Sequence, residues 1–132
     1  MRYRLGLEWG ITMQTPRARA LIIEDNFLLV EALIDTLGIL GYDVAATAAT
    51  IEQAVDAAHR VQCELALVDL DLRGKVAWPA VDILRHRGIP TIMTTASSAC
   101  DMPSGFRGTL VEKPFDIGML RRAIDAHPLH VA

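Results

Sequence analysis

Five side chains carry the chemistry this sequence can offer: Glu24, Asp25, Asp69, Thr95 and Lys113. Asp69 closes Leu65-Ala66-Leu67-Val68, an apolar run of strand length, and Leu72-Arg73-Gly74 then turns the chain. Glu24-Asp25 closes Ala20-Leu21-Ile22-Ile23 in the same way, Thr95 ends the run from Pro90, and Lys113 follows Thr109-Leu110-Val111-Glu112. Taken singly, an acid at a strand end can simply start a turn. Gathered on one rim, three carboxylates repel one another at low effective dielectric and resist ionising together. A hard divalent cation relieves that repulsion, and oxygen ligands without His or Cys select magnesium over zinc. Lys113 adds one point charge and leaves the group net negative. The set is then half of a phosphate site, with a hydroxyl at Thr95 to hydrogen-bond the anion. A carboxylate beside magnesium can act as a nucleophile toward phosphorus, with catalysis by positioning and charge neutralisation. Asp69 is expected to attack, because its strand is expected at the centre of the sheet.

The elements that must position these groups follow from the pattern of apolar residues. Leu29, Leu33, Leu37 and Leu40 give residues 26–40 one buried helical stripe, and Gly41 stops it. Tyr42-Asp43-Val44-Ala45-Ala46 reads as a strand, and residues 50–60 as a helix with Thr50 at its N-cap. Pro79 suits the first position of a helix running to about Arg87, and Gly88 ends it. Residues 97–107 should hold a helix by alternation, yet Pro103, Ser104 and Gly105 break it early. Asp116 caps a last helix over Ile117, Leu120, Ala123 and Ile124. Five strands alternating with five helical segments predict an α/β fold, a doubly wound parallel sheet with all strand C-termini on one rim.

The remaining features bound the function. At 132 residues and 52% hydrophobic side chains the sequence describes one domain with a sizeable core. A net charge of -3 leaves no basic footprint for nucleic acid, and no apolar run reaches transmembrane length. The N-terminus carries no secretory h-region, and Cys63 and Cys100 stand far apart without ligand-like spacing. A cytoplasmic protein with two free thiols is the expectation. In residues 1–17, Tyr3, Leu5, Leu7, Trp9 and Ile11 alternate with Arg, Gly and Glu. That segment is expected to be a loose extension or an extra strand, with the main domain spanning residues 18–132.

Four segments in order, Ile22-Ile23-Glu24-Asp25-Asn26, Leu67-Val68-Asp69, Met93-Thr94-Thr95-Ala96 and Glu112-Lys113-Pro114-Phe115, resemble the receiver (CheY-like) domain of two-component response regulators. The resemblance covers residues 18–127. It implies a flavodoxin-like (βα)5 fold with strand order 2-1-3-4-5 and a short or broken fourth helix. It implies Asp69 as phosphoacceptor, Asp25 as a direct magnesium ligand, Glu24 acting through metal-bound water, and the backbone carbonyl of Asp71 as a further ligand. Thr95 would be the switch hydroxyl, Lys113 would pair with the phosphoryl group, and the Lys113-Pro114 bond would be cis. Phosphate would come from a histidine kinase or a histidine phosphotransfer protein, in a Mg2+-dependent phosphorelay. Output would pass to a downstream protein partner or along the relay, from a stand-alone single-domain regulator that is a monomer or weak dimer. No enzymatic activity is expected beyond self-phosphotransfer and autodephosphorylation.

The sequence departs from the family at Leu110, where many receivers carry an aromatic switch residue, and in the 17 residues that separate Thr95 from Lys113. Asp71 is either a solvated turn residue or a group that tunes phosphoryl lifetime. Asp69-Leu70-Asp71 also resembles the nucleophile motif of haloacid dehalogenase-type aspartyl-phosphate phosphatases. That motif normally lies on the first strand, with an acidic pair after the lysine, and here it lies on the third. A non-phosphorylated, receiver-like interaction module is the other alternative.

Overall fold

The computed structural model describes residues 2–6, 11–14, 17–96 and 108–127, with the first two stretches described as backbone alone. The chain begins with β1 (Arg2–Gly6) and β2 (Ile11–Gln14), which pair antiparallel as a two-stranded sheet of their own. It continues through β3 (Ala18–Ile23), α1 (Phe27–Ile39), β4 (Tyr42–Ala48), α2 (Ile51–Arg60) and β5 (Leu65–Asp69). After β5 come β6 (Asp71–Leu72), β7 (Lys75–Val76), α3 (Trp78–His86), β8 (Thr91–Thr95), β9 (Thr109–Glu112) and α4 (Ile117–Ala126). The main sheet is five-stranded and parallel throughout, in the order β4-β3-β5-β8-β9. Counting only its own strands, this is the expected order 2-1-3-4-5. The expected broken helix over residues 97–107 lies outside the described residues, which hold four helices.

Alternation along each strand decides which helices cover which face. Ala20, Ile22, Leu65, Leu67 and Ile92 point to the face closed by Leu33 and Leu37 of α1 and Leu120 and Ile124 of α4. Leu21, Ile23, Ala66, Val68 and Met93 point to the other, closed by Ala54 and Ala58 of α2 and Ala80, Val81 and Leu84 of α3. The central strands β5 and β8 are buried along their whole length; β5 reads as an apolar run closed by Asp69, whereas β8 buries Thr91, Thr94 and Thr95 beside Ile92 and Met93. Two caps are the expected ones, with Thr50 accepting from the Gln53 N–H and Asp116 from the Met119 N–H; Asn26 opens α1 by accepting from the Leu29 N–H. Helix α3 begins one residue earlier than expected, at Trp78, so Pro79 occupies its second position, where a missing N–H is equally harmless.

The strand order reverses between β3 and β5, since β4 lies outside β3 while β8 and β9 continue from β5 on the other side. In open α/β sheets such a reversal opens a crevice at the carboxyl ends of the two strands. Glu24, Asp25 and Asp69 stand there. Among the described residues no helix is long and apolar enough to cross a membrane.

Candidate functional site

Each functional side chain is carried to the rim by a strand that ends beside it. Glu24 follows β3, and its N–H donates to the Ala48 carbonyl at 2.9 Å, extending the β3–β4 ladder by one residue. Asp69 is the last residue of β5 and stands opposite Thr94 of β8. Thr95 ends β8, and its carbonyl accepts from the Lys113 N–H at 2.7 Å, so the lysine is held against the neighbouring strand. The Lys113-Pro114 bond is cis.

One oxygen each from Glu24, Asp25 and Asp69 lies within 4.8 Å of the others. Lys113 Nζ donates to Glu24 Oε1 at 2.8 Å and to Asp69 Oδ2 at 3.1 Å. The second oxygen of each acid is met by backbone: Asn26 N–H donates to Glu24 Oε2 at 3.1 Å, and Asp71 N–H to Asp69 Oδ1 at 3.0 Å. Glu24 is 3% exposed and Asp69 and Thr95 are each 6% exposed, while Asp25 is half-buried. Of the five side chains singled out from the sequence, the structure brings the three acids and the Lys113 ammonium into one cluster. Thr95 reaches the same rim as a buried residue on the strand between Asp69 and Lys113.

Charge at this cluster is unevenly borne. Burial pushes the Glu24 carboxyl up to about 7, against the lowering effect of Lys113 and of the Asn26 N–H, and the nearby Asp69 raises it further. Burial works against the Lys113 ammonium, but its hydrogen bonds to Glu24 and Asp69 outweigh that and raise its pKa. Two inner acids share one cation, and a third acid adds to the deficit of positive charge. Oxygen is the only donor type in the cluster, which fits a hard divalent cation and offers nothing to a soft one.

One feature was not foreseen. Strands β6 and β7 form a small antiparallel hairpin directly after Asp69, with Arg73 and Gly74 at its tip, both at positive φ. From that tip the Arg73 N–H donates to Asp25 Oδ2 at 3.1 Å and the Gly74 N–H to Asp71 Oδ1 at 2.9 Å. The signal available in the sequence was Asp71 three residues before Gly74, a spacing at which a carboxylate can accept the N–H of a turn. Leu110, at the position where the family resemblance leads one to look for an aromatic, is 37% exposed on the edge strand β9.

No family model matches the chain, and no curated protein matches it. Solved structures do. The PhyR response regulator REC domain of Erythrobacter litoralis is 33% identical, with a TM-score of 0.66 over 87% of this chain and 95% of that one. The receiver domain of the sensor histidine kinase PA1611 of Pseudomonas aeruginosa PAO1, whose structure has magnesium coordinated in the active site cleft, is 26% identical. There the TM-score is 0.69 over 81% of this chain and 93% of that one. The anti-anti-sigma factor PhyR of Bartonella quintana is 30% identical, with a TM-score of 0.70 over 84% of this chain. This chain spans about half of that longer protein, 47% of it.

Proposed function

Because the chain belongs to the receiver-domain family of response regulators, we propose that it takes a phosphoryl group onto Asp69 from the phosphohistidine of a kinase or phosphotransfer protein. The observation that carries this reading is the Lys113 ammonium shared by Glu24 and Asp69, with Asp25 in the same cluster. In the reaction an Asp69 carboxylate oxygen attacks phosphorus, the N–P bond of the phosphohistidine breaks, and an acyl phosphate forms as the departing imidazole nitrogen takes up a proton. Asp69 has lone pairs to spare for this: its two oxygens offer about four acceptor sites, against one N–H and one ammonium contact. As charge moves outward from the carboxylate, Lys113 follows it to a phosphoryl oxygen, and the Thr95 hydroxyl meets another. Asp25, Asp69 and the Asp71 carbonyl, with Glu24 through water, would hold a magnesium ion, which would supply the remaining positive charge.

Residues 18–132 are then the receiver domain and residues 1–17 an extension of it. The protein acts in the cytoplasm as a signalling component. Its only chemistry is phosphoryl acceptance and the slow hydrolysis of its own acyl phosphate, and its output is binding to a protein partner or relay of the phosphate. An anti-anti-sigma factor among the similar structures supports a protein as the receiver of that output.

Incubation with a small phosphodonor such as acetyl phosphate and magnesium, followed by intact mass, tests the reading. One phosphoryl group on the wild type and none on Asp69→Asn is the expected result. An unlabelled wild type, or undiminished labelling of Asp69→Asn, overturns it. Sustained turnover of a phosphomonoester would instead favour the phosphatase alternative.

A further inference from the structure

The hairpin that follows Asp69 has a tip whose conformation is costly. Its register pairs Asp71 with Val76 and Leu72 with Lys75, leaving Arg73 and Gly74 as a two-residue loop with φ of 53° and 83°. Two successive positive-φ residues are the signature of a type I′ turn, for which Asn-Gly or Gly-Gly is the favoured sequence. Glycine adopts this conformation freely, but Arg at the first position is strained in it. Something must hold it.

Three anchors are visible. Leu72, 1% exposed, plugs the hairpin into the core beside α2 and α3, and the Ala77 N–H closes its base on the Leu70 carbonyl at 2.9 Å. Lys75 reaches Glu52 of α2 at 3.3 Å, although both ends of that pair are exposed. The third anchor is the Asp71 carboxylate, which accepts the Gly74 N–H at 2.9 Å across the turn. With the turn closed in this way, the Arg73 N–H points out of the hairpin and onto Asp25 Oδ2. Asp25 is the half-buried acid of the cluster, and its side chain has no contact to the Lys113 ammonium among those that hold Glu24 and Asp69.

We propose that the β6–β7 hairpin is a clamp for Asp25, and that Asp71 acts through its side chain as a positioning residue for the magnesium site by closing the turn that aims the Arg73 N–H. The inference rests on the magnesium reading above. It assigns the Asp71 carboxylate a task distinct from that of the Asp71 carbonyl: the side chain is engaged on Gly74 and shapes the site through backbone.

Asn can accept the Gly74 N–H as Asp does, whereas Ala cannot. Magnesium affinity measured by calorimetry on the whole chain should therefore fall by about tenfold in Asp71→Ala, the lower end of what loss of a group supporting a ligand costs. Asp71→Asn should stay close to the wild type. Equal affinity in Asp71→Ala and wild type overturns the clamp. So does an Asp71→Asn as weak as Asp71→Ala, since charge rather than turn closure would then be at work. A second readout needs no metal: the Arg73 amide should be protected from hydrogen exchange in the wild type and Asp71→Asn, and lose protection in Asp71→Ala and Asp25→Ala. An Arg73 amide that exchanges equally in all four proteins also overturns the clamp. A wild type with no saturable magnesium binding refutes the magnesium reading, while the exchange pattern still decides whether the clamp exists.

Discussion

On the inner side of the acidic cluster, Glu24 and Asp69 are almost fully buried and share one ammonium; on the outer side, Asp25 and Asp71 accept from the backbone at the tip of a hairpin. The inner groups are rigid because their strands are: β3 and β5 are central in the sheet, and the lysine is tied to β8 through the Thr95 carbonyl. The outer groups owe their positions to a turn of a few residues. The contrast separates two requirements of a phosphoryl site. Charge balance is set inside, where low dielectric makes each unpaired charge expensive. Ligand geometry is set outside, where neutral N–H donors can aim a carboxylate without cancelling its charge.

The largest way to break this contrast is to remove the inner cation. Lys113→Met leaves two buried acids without their common partner, and breaking such a pair costs on the order of 3 kcal/mol. Urea unfolding at pH 8 measures it. The loss should shrink at pH 6, because Glu24 can then take up a proton and remove one of the unpaired charges. An equal loss at both pH values would mean that Glu24 is not the group burdened by burial.

The wild type itself should show the same strain more mildly. Glu24 has its folded-state pKa raised from 4.5 to about 7, so between those values the folded protein holds a proton that the unfolded chain has released. Stability from this group therefore falls as pH rises through that window and levels off above it. In chelator, the wild type should lose on the order of 2 kcal/mol between pH 5 and pH 8 relative to Glu24→Gln, which carries no such titration. A flat difference between the two proteins across that range contradicts the charge deficit read from the inner cluster.

Magnesium should offset the deficit where it is greatest. At about ten times its Kd it stabilises the folded chain by about 1.4 kcal/mol, provided the unfolded chain does not bind it. Thermal melts at pH 8 should show this in the wild type and not in Asp25→Asn at the same metal concentration. Stabilisation that survives in Asp25→Asn would place the metal wholly on the inner acids.

The residues on both sides of the cluster were legible in the sequence, and the hairpin that holds the outer ones was not, for a physical reason. A buried strand such as Leu65–Asp69 is apolar up to its last residue, so the residue that ends the run announces the rim, and the ends of four strands supply the five side chains. Caps at Thr50 and Asp116 were equally readable, because an N-cap needs a particular side chain at a particular place. A two-residue strand has no period to detect, and Arg73 is a poor signal for a conformation that favours Asn or Gly. Nor can spacing say which oxygen meets which donor: the Lys113–Glu24 contact joins residues 89 apart in the chain. What the pattern of endings conveys is who stands at the rim, and the hairpin adds how one of them is aimed.

The smallest expected effect sharpens the comparison from the outer side. Arg73→Asn keeps the N–H that meets Asp25 and replaces a residue strained at φ 53° by one that tolerates that region. The folded protein should gain about 0.5–1 kcal/mol, read as a higher urea midpoint with an unchanged slope. Magnesium affinity should be no weaker than in the wild type, since the group that acts on Asp25 is main chain. A stabilised variant that bound the metal less tightly would show that the Arg73 side chain, and not its backbone, is what the site uses.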